Sequence, residues 1–171
     1  ASFVDTGLTN GTTYYYVVTS LNSSGEGQYS NEASATPNSD GIGTAYKINC
    51  GGGAVGSWSA DEYYSGVTQT PSTAATIDTS SAANPAPSSV YQDARVTYAG
   101  NLMYYKLPHL TPSAGYTVRL HFADINVYNA GQRFFGVAIN GTQVLPAFDI
   151  VATAGAPNRA IVEQFNTTAD S

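Results

Sequence analysis

The sequence predicts an all-β fold, a β-sandwich, on three observations. Period-two alternation of apolar and polar residues recurs along its 171 residues, and no helical periodicity persists over the length of a helix. Gly and Pro interrupt the chain every few residues, spacing short strands with turns. Only 11% of the residues are charged, against about 25% in an average soluble domain. Uncharged polar side chains and 13 tyrosines take their place.

The strands are legible in order. Tyr14, Tyr16 and Val18 fall on one face of a first strand, with Tyr15, Val17 and Thr19 on the other. Tyr116, Val118, Leu120 and Phe122 alternate with Thr117, Arg119, His121 and Ala123, and Phe135, Val137 and Ile139 alternate with Gly136 and Ala138. Such alternation predicts one buried and one wetted face. Asn10-Gly11 and Asn140-Gly141 favour positive φ and predict tight turns. Residues 38–43 read as a linker. The nearly uncharged stretch 68–89 reads as a long surface loop or as one holding a short edge strand near Ala75 to Asp78.

Composition excludes several functions. Six basic residues against twelve acidic ones, a net charge of −6, leave no basic patch for nucleic acid. No apolar run approaches the ~20 residues of a membrane span. Cys50 is alone, so no internal disulfide forms, and no Cys/His cluster has metal-ligand spacing. The chain opens Ala1-Ser2-Phe3-Val4-Asp5, without an initiator Met, and is expected to be a segment of a longer protein.

Residues 1–37 resemble the last part of a fibronectin type III domain. The carrying residues run from Phe3-Val4-Asp5-Thr6-Gly7-Leu8-Thr9-Asn10-Gly11 to Tyr14-Tyr15-Tyr16-Val17-Val18, closing with Ser30-Asn31-Glu32-Ala33-Ser34-Ala35-Thr36-Pro37. The resemblance makes Tyr14 a structural tyrosine corner, its hydroxyl bonding upstream backbone. It also implies missing first strands and an apolar face with no partner sheet.

Residues 44–171 resemble the malectin family through four ordered blocks. These are Tyr46-Lys47-Ile48-Asn49-Cys50-Gly51-Gly52 with Trp58-Ser59-Ala60-Asp61-Glu62-Tyr63-Tyr64; Val90-Tyr91-Gln92-Asp93-Ala94-Arg95; Tyr116-Thr117-Val118-Arg119-Leu120-His121-Phe122-Ala123-Asp124-Ile125; and Gly131-Gln132-Arg133-Phe134-Phe135-Gly136-Val137-Ala138-Ile139-Asn140-Gly141 followed by Phe148-Asp149-Ile150. The resemblance implies a jelly-roll β-sandwich, C-terminally cut, that binds carbohydrate without catalysis or cofactor. Three positions where the family carries aromatics hold Val96, Asn126 and Val127 here.

Sugars are neutral, so their sites need aromatic faces for C–H patches and a few amides for hydroxyls. Tyr98, Asn126, Tyr128 and Asn129 are the candidate contacts, with Tyr63 and Tyr64 beside them. A glycosidase needs two carboxylates ~5–10 Å apart. Spacing singles out no pair among Asp61, Glu62, Asp93, Asp124, Asp149 and Glu163, and no Gly-x-Ser-x-Gly elbow accompanies His109 or His121. Cys50 reads as a buried, inert thiol. The expected function is carbohydrate binding by a module of a secreted bacterial multidomain protein. Its partner would be an oligo- or polysaccharide, a glucan among the candidates, and neighbouring domains in the same chain would include a glycoside hydrolase. A protein-interaction, adhesion or spacer module is the alternative.

Overall fold

Strand-forming tyrosines open the described part of the chain, which in this computed structural model comprises residues 5, 8–9, 11–23, 25–36, 45–126 and 128–170. Phe3, Val4, Thr6, Gly7, Asn10, the 38–43 linker and Val127 lie outside it. The chain divides into two units, Ala1–Gly43 and Thr44–Ser171.

In the first unit β1 (Tyr14–Tyr16) pairs antiparallel with β4 (Ala33–Ala35), and β2 (Leu21–Asn22) with β3 (Gly25–Glu26). The Tyr14 hydroxyl accepts a hydrogen bond from the Thr9 N–H at 2.9 Å. Gly11 follows at φ 79°, the left-handed turn that a glycine makes without strain. Leu8, Tyr16 and Val18 line an open groove, and Val18, Leu21 and Tyr29 are largely exposed.

The second unit is a β-sandwich built from paired strands. β5 (Tyr64–Gly66) pairs with β8 (Met103–Tyr105), and β6 (Thr68–Gln69) with β7 (Val96–Thr97). The long strand β9 (Gly115–Phe122) pairs through its whole length with β12 (Ile161–Thr168). β10 (Phe135–Ile139) and β11 (Thr142–Phe148) form a hairpin. Its turn holds Asn140 at φ 48° and Gly141 at φ 76°, both positive as the twist of a two-residue hairpin demands. The hairpin register slips near Pro146, whose nitrogen has no proton to give the ladder. A single helical turn, α1 (Ile150–Ala154), follows β11; Asp149 caps it through Ala152 N, and Gly155 ends it at φ 82°.

The end of β9 is covered on both faces, which corrects the expectation of one wetted face. Phe122 packs against Phe135 and Phe148 with centroids 5.5 and 5.4 Å away. On the opposite face His121 meets Trp58 edge-on at 5.1 Å and Tyr91 at 5.8 Å. Beside it the Arg119 guanidinium donates to the carbonyls of Ala83 and Asn84. Stretch 68–89 supplies part of this cover, so it is no surface loop throughout. Ile77 and Ala86 are buried in a cluster with Val90, Tyr91, Ile125 and Ala160. Bridges from Ser72 to Asp93 and from Asp78 to Arg159 hold the stretch in place.

A polar chain runs into the core. Ala86 N donates to the Tyr91 oxygen at 3.2 Å, and that hydroxyl lies 2.8 Å from His121 Nδ1. The phenol has one proton to give, and it satisfies Nδ1 when the neutral ring carries its own proton on Nε2. Burial, aided by Arg119, lowers the His121 pKa to about 4. The unfolded chain, near 6.5, therefore binds this proton more readily than the folded one. Stability contributed by neutral His121 is complete above pH ~6.5, declines as pH falls towards 4 and levels off below. Denaturant unfolding across this window should show that decline, and His121→Phe should flatten it. An NMR titration of the His121 ring near 6.5 would overturn the assignment.

Candidate functional site

The candidate residues sit on two structural frames, each held by buried carboxylates. The first frame is built around Asp61, which is 7% exposed at its side chain. One of its oxygens, Oδ2, accepts from Gly51 N at 2.7 Å and from Arg95 Nε at 2.5 Å. The other, Oδ1, accepts from the Tyr105 hydroxyl at 2.8 Å. Arg95 also donates to Thr68 Oγ1 at 2.6 Å. Burial first, then the neighbouring Cys50 thiol and Asp61, hold the Tyr105 phenol far above its usual range. Burial likewise raises the Cys50 thiol. The glycines of Asn49-Cys50-Gly51-Gly52 permit this assembly: a Cβ on Gly51 would strike the Ala94 carbonyl, and one on Gly52 the Asp93 carboxylate and Asn49 amide.

This frame presents Tyr63 and Tyr64. Tyr64 lies opposite Tyr105 in the β5–β8 pair, and the Arg95 guanidinium covers one face of its ring, 3.3 Å from the centroid. Tyr63 adopts φ 63°, a strained conformation for a bulky residue, and its ring meets Tyr46 edge-on at 5.5 Å. Tyr98 follows β7; its hydroxyl accepts from Gln69 Nε2 at 2.6 Å and its ring is 49% exposed.

The second frame fixes the described residues of the loop 126–133, namely 126 and 128–133. Asp124, 1% exposed, accepts from Asn126 N at 3.0 Å and pairs with Arg133 at 3.3 Å. The Asp149 carboxylate that caps α1 also accepts from Gly131 N at 2.6 Å. These backbone donors hold Asp149 below the usual carboxylate range. Asn129 N donates to Gln132 Oε1. Within this clamp Asn126 and Asn129 are exposed, and Tyr128 stands 42% exposed with Arg133 5.8 Å from its ring.

The structure thus groups Asn126, Tyr128 and Asn129 on one loop and Tyr63 with Tyr64 at another. Tyr98 sits apart beside Gln69, and among the described residues no ring contact or hydrogen bond joins it to Tyr128. Sequence reasoning missed Arg95 and Arg133, which set the two frames. Both stand in the quoted blocks, but nothing local shows that their partners lie on other segments. It also missed Tyr104, 56% exposed, which faces outward opposite Ser65.

Asp61, Asp93, Asp124 and Asp149 all accept hydrogen bonds from protein groups. Among the described residues no three His, Cys, Asp or Glu side chains group as a metal site. Asp61→Ala should strand the buried Arg95 and destabilise the unit by roughly 3–5 kcal/mol, measured by denaturant unfolding. Pairing it with Arg95→Met should cost less than the sum of the single changes, because the two share one interaction.

The malectin domain family matches residues 44–171. Over 144 aligned residues the chain is 29% identical to a probable receptor-like protein kinase of Arabidopsis thaliana, covering 73% of this chain and 17% of that protein. The chain therefore corresponds to a small part of that relative's length. No solved structure matches the chain significantly. With all of residues 44–171 matched, the chain belongs to the malectin domain family.

Proposed function

We propose that residues 44–171 bind a neutral oligo- or polysaccharide without catalysis, through the 126–133 loop. The observation that carries this reading is the geometry of that loop. An exposed tyrosine ring stands among exposed amides on backbone already pinned by Asp124 and Asp149. Such a loop offers a C–H stacking face and hydroxyl partners without first having to be ordered. Tyr98, Tyr63 and Tyr64 are further contacts along an extended glycan, and a glucan is one candidate class.

Residues 1–37 we read as the end of a fibronectin type III domain, a spacer supported by the β1–β4 pairing and by the Thr9 to Tyr14 bond. The wider setting we favour is a secreted bacterial multidomain protein in which the module tethers a glycoside hydrolase to its polysaccharide, raising local substrate concentration. The plant relative, a probable receptor-like kinase, supplies a competing setting, an extracellular receptor region. The second functional reading, an adhesion or spacer module, is favoured by one observation. Val96, where the family carries an aromatic, is taken up in the β6–β7 pairing opposite Gln69.

A glycan array probed with the chain separates the readings. Binding to a defined neutral glycan, weakened about threefold to tenfold by Tyr128→Ala and restored by Tyr128→Phe, is the expected outcome. Tyr98→Ala should act in the same direction. Silence across the array from a cooperatively folding protein would favour adhesion.

A further inference from the structure

A cleft of about 290 Å³ lies between the tip of the β10–β11 hairpin and the end of β12. Ile139 and Val144 give it an apolar floor, and Asn140, Thr142, Asn166, Thr168 and Asp170 give it a polar rim. Its walls are fixed to each other. Asn140 Nδ2 donates to the Thr168 carbonyl at 2.6 Å, tying hairpin to strand, and Thr117 Oγ1 lies 3.1 Å from Asn166 Oδ1. Those bonds use half of each amide. Among the described hydrogen bonds, Asn140 Oδ1, Asn166 Nδ2, the hydroxyls of Thr142 and Thr168 and the Asp170 carboxylate have no protein partner.

The rim therefore holds donors and acceptors side by side over an apolar floor. That suits a ring that carries adjacent hydroxyls on one side and C–H groups on the other. Asp170 and the absence of any basic lining residue disfavour an anion. A single carboxylate is too little for a divalent cation, which takes six to eight oxygens in the calcium case. Without an aromatic wall a flat apolar ligand gains no stacking. The volume is at the lower end of ligand pockets, ~300–1,000 Å³, and suits one sugar ring.

We propose that this cleft is a second, aromatic-free subsite for one neutral hexose unit; the proposal rests on the carbohydrate reading above. It is independent of the 126–133 loop. That loop adjoins the Phe122–Ile161 end of the β9–β12 pair, and the cleft adjoins the Gly115–Thr168 end. At about 3.3 Å per residue the strand separates the two by roughly 20 Å. A polysaccharide long enough to reach both ends is held at two points, which raises its apparent affinity over that of a short oligomer.

The test is a ¹H–¹⁵N NMR titration of the 171-residue chain, produced in bacteria so that the Asn140 and Asn166 sequons carry no glycan. The probes are the methyl glycosides of glucose, galactose and mannose at millimolar concentration. The expected result is a saturable shift of the Asn140 and Asn166 side-chain amides with at least one probe. Thr142→Val, nearly isosteric, and Asn166→Leu should each weaken it at least fivefold, while Tyr128→Ala leaves it unchanged. Shifts confined to residues 126–133 would overturn the cleft and leave the carbohydrate reading standing. So would cleft shifts that both cleft variants leave intact. No shift at either end, together with a silent array, would overturn both.

Discussion

The Asp61 carboxylate is the junction on which the malectin unit depends. Three segments meet at its two oxygens: the glycine turn through Gly51 N, the end of the 90–95 block through Arg95, and β8 through Tyr105. In a chain with so few charges each buried carboxylate has a large share of the architecture. Desolvating it is expensive, and only a full set of donors offsets that expense. Asp124 and Asp149 repeat the arrangement around the 126–133 loop. The same three residues thus organise the fold and both aromatic regions, so changes at them would disturb binding through folding rather than through contact with a ligand.

Tyrosine is put to a related use. Tyr14, Tyr91 and Tyr116 each accept a hydrogen bond from the backbone N–H five residues upstream, at Thr9, Ala86 and Thr111. The two units even share the local pattern Leu8-Thr9 before Tyr14 and Leu110-Thr111 before Tyr116. An N–H at the edge of a turn lacks a ladder partner, and a phenol reaching back from the next element supplies one while its ring fills space. Tyr46 does a similar service by donating to the Pro108 carbonyl. A tyrosine-rich composition is therefore weak evidence for a ligand platform, because much of it is structural. Among the exposed rings of the malectin unit, Tyr63, Tyr98 and Tyr128 carry the functional argument, with Arg133 5.8 Å from the Tyr128 ring, and Tyr64 keeps only the face that Arg95 leaves free.

What could be read from the sequence was whatever short range determines. Alternation exposed β9 and β10, because side chains of a strand alternate whatever lies around it. Asn140-Gly141 exposed its hairpin, because few residues tolerate two positive φ angles in succession. The stretch 68–89 hid its role because its bridges run to Asp93 and Arg159, and its two buried positions, Ile77 and Ala86, are lost among Ser, Thr and Ala. The Arg119–His121 face of β9 looked polar, yet Trp58 and Tyr91 from distant segments cover it. The placement of the candidate residues was legible to a similar degree. Asn126, Tyr128 and Asn129 share a loop as their proximity in sequence implies, whereas the placement of Tyr98 beside Gln69 depends on the β6–β7 pairing, which no local pattern announces.

The organisation of the loop bears on how strongly a neutral ligand can bind. A sugar brings no charge to exploit, and each stacking or hydroxyl contact gains little over water. Affinity then depends on what binding does not have to spend, above all the ordering of backbone and side chains. Asp124 and Asp149 meet that requirement in advance by satisfying the N–H groups of Asn126 and Gly131, and the Asn129–Gln132 bonds close the turn between them. What stays free is the Tyr128 ring and the exposed amides, a small set of groups on a rigid base. Such a base suits a module whose single-site affinity is low and whose retention comes from additional contacts along the same polymer or from domains in the same chain.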